Sequence, residues 1–104
     1  MINAANRANH YAEKLAEEER EYQAKIELEY QIDSLNDEIC VLRRDYHLTI
    51  QSYRSLLKDA KNTTTALKSF VLELIRAAKG EYFSELAKLK TKIDEANQEL
   101  ARLT

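Results

Sequence analysis

Between Leu28 and Ala60, apolar or uncharged residues recur at Leu28, Ile32, Leu35, Ile39, Leu42, Tyr46, Thr49, Tyr53, Leu56 and Ala60. The steps alternate four and three, which is a strict seven-residue repeat. Such a repeat predicts a helix that keeps one narrow stripe toward a partner helix and supercoils left-handedly around it. Ile32, Ile39, Tyr46, Tyr53 and Ala60 fall at a; Leu28, Leu35, Leu42, Thr49 and Leu56 fall at d. Ile at a with Leu at d favours a parallel, two-stranded coil. Glu38 at g and Arg43 at the following e match the pairing such a dimer allows. Ile50 and Leu57 occupy e, where a simple dimer places charge, and so predict lateral contacts beyond the dimer.

The flanking segments follow other rhythms. Residues 1–27 read as helix, with Ala8, Tyr11, Leu15, Glu18 and Tyr22 spaced by four and three, out of phase with Leu28. Asn62-Thr63-Thr64-Thr65 is the one clear interruption, since Asn and Thr are indifferent helix formers. It predicts either a turn or a loosened helix that carries on, and the lack of Gly and Pro there favours continuity over reversal. Beyond it the spacing becomes eleven, as in Leu67, Ala78, Leu89 and Leu100, in Val71, Tyr82 and Ile93, and in Ile75, Leu86 and Asn97. Leu74 and Ala96 form a fourth row interrupted by Glu85. Eleven residues in three turns predicts nearly straight helices in contact. The expected organisation is a heptad segment over 1–61, a polar linker or irregularity over 62–66, and an eleven-residue-repeat segment over 67–104.

Composition sharpens this picture. The 104 residues include no Pro, one Gly and no Trp, and a third are charged, far from the usual turn-rich domain. A continuous helix of this length spans roughly 156 Å at about 1.5 Å per residue and requires partners. The net charge of −2 argues against nucleic acid, and no apolar run is long enough for a membrane span. Residues 1–40 hold ten acids and four bases, whereas 41–104 hold eight acids and twelve bases. This polarity can guide side-by-side association of rods. The single Cys40 excludes an internal disulfide and suits a reducing compartment; the expected location is intracellular, cytoplasmic more than nuclear. His10, Cys40 and His47 are too widely spaced to share a metal on one helix. No phosphate-cradling loop or catalytic constellation is present, so no enzyme, metal, cofactor or small-molecule substrate is expected.

The stretch Leu28-Glu29-Tyr30-Gln31-Ile32-Asp33-Ser34-Leu35-Asn36-Asp37-Glu38-Ile39, with Leu42-Arg43-Arg44, resembles the end of the first half of an intermediate-filament rod. Ala8-Asn9 stands where that family often has Ala-Glu-Asn. Asn62–Ala66 then takes the place of the family's linker, and the change from seven to eleven resembles the opening of its second rod half. The resemblance implies an all-α parallel coiled-coil dimer, with itself or a related chain, that packs laterally into filaments. The implied helix–helix interface comprises Leu28, Ile32, Leu35, Ile39, Leu42, Tyr46, Tyr53, Leu56, Leu67, Val71, Leu74, Ala78, Leu89, Ile93 and Leu100, with Ile50 and Leu57 as lateral contacts. The alternative expectation is a helical hairpin or bundle, reversing at the Asn-Thr stretch, that binds another protein.

Overall fold

The computed structural model describes residues 4–59 and 64–104, with side chains from residue 6 onward. The described chain is two long helices, α1 (Ala4–Asp59) and α2 (Thr65–Leu103). Their polar surfaces and sparse Gly and Pro allow such lengths, and each last turn carries a base, Lys58 or Arg102, that suits the carbonyl end of a helix.

The helices do not continue into one another. Tyr46 stacks on Tyr82, with ring centroids 4.1 Å apart and planes 7° from parallel. Nearer the start of α1, Asp37, Glu38 and Val41 share a groove with Glu85 and Leu89 of α2. Moving back along α1 therefore means moving forward along α2, so the pair is antiparallel. The molecule is 94 Å long and 15 × 14 Å across. That length suits the 56 residues of α1, about 84 Å, and not a continuous helix of roughly 156 Å. The favoured continuity across 62–66 is thus corrected to a reversal between Asp59 and Thr65. Ala60, Asn62 and Thr63 lie outside the described residues, while Thr65 and Ala66 begin α2.

Thr64 explains why a Thr run can start a helix. Its backbone is extended (φ −66°, ψ 151°) and its hydroxyl accepts from the Leu67 amide. The Thr64 carbonyl accepts from the amides of Leu67 and Lys68 at 3.1 and 3.2 Å. Thr is a preferred residue at this position, where its side chain satisfies an amide left over at the helix start.

Tyr46 and Tyr82 are equidistant from Thr64 in sequence. Because both helices rise about 1.5 Å per residue, residues equidistant from Thr64 share a level. Most half-buried and buried positions obey this mirror: Leu28 with Leu100, Ile32 with Ala96, Leu35 with Ile93, Ile39 with Leu89, and Leu42 with Leu86. Toward the closed end come Ile50 with Ala78, Tyr53 with Ile75, and Leu57 with Val71. Leu35, Ile50, Val71, Leu86 and Ala96 are the buried apolar residues. The seam expected for a second chain is therefore filled by this chain's own second half.

The stripe shifts at the tyrosines. Leu42, Tyr46 and Ile50 are separated by two steps of four, and so are Ala78, Tyr82 and Leu86 on the facing helix. The two double steps meet at the stacked rings. Three expectations are corrected as a consequence. Leu56, placed in the seam, is 57% exposed, and Leu57 takes its place. Ile50, placed on an outer lateral face, is buried in the hairpin, and Leu57 is half-buried there. Leu67, placed in the interface, is exposed.

Candidate interaction surfaces

α1 outlasts α2. The last residue of α2, Leu103, is level with Lys25, and Ala24, Lys25 and Ile26 are half-buried. From Asn6 to Gln23 every residue is exposed. This overhang, about 27 Å long at about 1.5 Å per residue, is a single helix held in shape by its continuity with the paired part. Tyr11, Leu15 and Tyr22 stand 62–65% exposed along it. With Glu18 they form one side, at steps of four, three and four.

The paired part has two chemically different sides. On one, Asp37, Glu38, Asp45 and Glu85 surround Val41, Leu42 and Leu89. On the other, His47, Gln51, Arg54 and Lys58 line a shallow depression beside Ile50. Glu85 places its own side of α2 next to the acidic side of α1. Phe83, two residues or about 200° away, therefore belongs to the basic side. Leu72, Arg76 and Lys79 share that side at steps of four, three and four ending at Phe83, and Leu72 and Phe83 are about half exposed.

Most predicted interface residues lie in the seam: Leu28, Ile32, Ile39, Leu42, Tyr46, Tyr53, Leu74, Ala78, Leu89, Ile93 and Leu100 are half-buried, and Leu35 and Val71 buried. Tyr82 and Leu86, members of the eleven-residue rows though outside the implied interface set, sit at its centre. Their rows mark them as contact positions, and the mirror of apolar spacings about Thr64 adds which residues they face.

Among the described residues, no group of three or more His, Cys, Asp or Glu side chains is placed to hold a metal ion, and Cys40 is an exposed free thiol. No described helix is long and apolar enough to cross a membrane. Ion pairs such as Lys88–Glu85 and Arg102–Glu99 are exposed and local, of a kind that contributes about 0–1 kcal/mol. In comparisons with known proteins, the chain matches no family model, no curated protein and no solved structure. With the reversal, the seven- and eleven-residue segments face each other and do not follow along one rod, so the geometric part of the filament-rod resemblance is lost.

Proposed function

We propose that the chain is a non-catalytic helical interaction module. Its antiparallel hairpin is a coiled-coil-like strut, and its N-terminal overhang presents an apolar helix side to another protein helix. The observation that carries this is the run Tyr11, Leu15 and Tyr22, all strongly exposed and all on one side of an unpaired helix. Isolated exposed apolar residues are ordinary on protein surfaces; three large ones at helical spacing on an overhang match the way amphipathic helices pair. Seam burial accounts for the hairpin but leaves this stripe without a role in the fold. The hairpin form of the adaptor expectation is thus preferred to a continuous filament rod.

A photoreactive amino acid introduced at Leu15 in the full chain tests the proposal within cells. Specific protein adducts should form at Leu15, and far fewer with the same group at Thr104. Equal, weak labelling at the two positions overturns it.

A further inference from the structure

We propose that the partner of the overhang is a second copy of this chain, in an antiparallel two-fold dimer; this rests on the interaction-module reading above and names its partner. Three observations converge on it. Tyr11, Leu15, Glu18 and Tyr22 are each 36 residues, about ten helical turns, before His47, Gln51, Arg54 and Lys58. The overhang stripe and the basic side of the hairpin therefore lie on the same side of the molecule. A two-fold dimer uses the same face of both copies, so each overhang meets the other's closed end at the same time and the assembly closes.

The second observation is matched spacing. In an antiparallel dimer the partner's α1 runs parallel to α2. Tyr11, Leu15, Glu18 and Tyr22 have the same four-three-four steps as Leu72, Arg76, Lys79 and Phe83, and all eight are exposed. Laid side by side, they set Tyr11 on Leu72, Tyr22 on Phe83, and Glu18 opposite Lys79, while the aliphatic stem of Arg76 covers Leu15.

Charge supplies the third. Residues 1–40 carry ten acids and four bases, while residues 41–83, the closed end, carry eight bases and four acids. Antiparallel association sets each acidic end beside a basic one and disfavours the parallel arrangement. Each overhang thereby becomes the third helix of a three-helix bundle with the partner's closed end.

Sedimentation of the full chain across a concentration series is the first measurement, with an expected mass twice the 12.1 kDa of one chain. Leu72→Glu with Phe83→Glu should give a monomer of unchanged helicity, since both side chains are exposed. Glu18→Lys and Lys79→Glu should each weaken the dimer about tenfold, because each places like charges opposite in two symmetric contacts, and the double exchange should restore it. In a Cys40→Ser background, Tyr11→Cys with Leu72→Cys should form disulfide-linked dimers. Within one copy those positions are roughly 68 Å apart at about 1.5 Å per residue, so no internal bridge competes. A monomeric wild-type chain, a dimer indifferent to Leu72→Glu with Phe83→Glu, or charge reversals without mutual rescue overturns the proposal. A monomer whose Leu15 photoadducts contain a different protein overturns self-pairing alone and leaves the interaction module standing; absence of any adduct removes both.

Discussion

Leu56 and Leu57 are sequence neighbours with opposite environments, and the difference is set eleven residues upstream. Leu56 continues a seven-residue stripe from Leu42 through Thr49, but the buried stripe passes from Tyr46 to Ile50 and on to Leu57. A straight helix drifts against a seven-residue repeat by about 20° per heptad, and one extra residue in the spacing corrects the drift. The facing helix makes the same correction at Tyr82, so the two bulky rings share a level and stack. Truncating the two candidate seam residues distinguishes the stripes. Ile50→Ala should cost about 2–5 kcal/mol, as expected for a buried aliphatic side chain, whereas Leu56→Ala should stay within about 0.5 kcal/mol. Urea unfolding followed by circular dichroism measures both; equal losses would restore the unshifted stripe.

At the scale of elements, the all-helical character of the chain and much of the apolar face of each half were legible in the sequence, whereas the division into two helices was not, since the lack of Gly and Pro favours continuity across 62–66. Period alone identifies the side of a helix that is covered, as Leu28 through Leu42 and Val71 through Leu100 demonstrate. Period does not identify the covering partner. Ile at a and Leu at d favour a parallel mate when two chains meet as equals, but an intramolecular segment is present at far higher effective concentration. The reversal is hidden because residue type alone marks Thr64 as a weak helix former, although its extended backbone and hydroxyl make it a helix start. The tyrosine pair offers an element-level check on the register. Stacked aromatic pairs contribute about 0.5–1.5 kcal/mol beyond burial. A double-mutant cycle with Tyr46→Leu and Tyr82→Leu should return coupling of that size, whereas a register displaced by one turn leaves none. The overhang, by contrast, could be described from sequence but not recognised as unpaired, because that requires knowing where α2 ends relative to α1.

At the scale of the whole molecule, the governing quantity is the distance between residues level with each other across the hairpin. Cys40 and Ala87 lie within one level of being mirror positions about Thr64, and both are exposed. Packed helix axes lie about 8–10 Å apart, so probes on Cys40 and on Ala87→Cys should be roughly 20 Å apart. A continuous helix would separate them by roughly 70 Å at about 1.5 Å per residue. Double electron–electron resonance resolves both distances. Two continuous chains lying antiparallel would also bring these positions close, but only between copies. Dilution with excess unlabelled chain removes such an intermolecular signal and leaves an intramolecular one unchanged. A short distance that survives dilution assigns the reversal to a single chain, and with it the overhang that the reversal leaves bare. A short distance that fades on dilution instead means that the two halves are exchanged between copies. In that arrangement Leu103 of the other copy still lies level with Lys25, so Tyr11, Leu15 and Tyr22 remain bare and only the source of the covering helix changes.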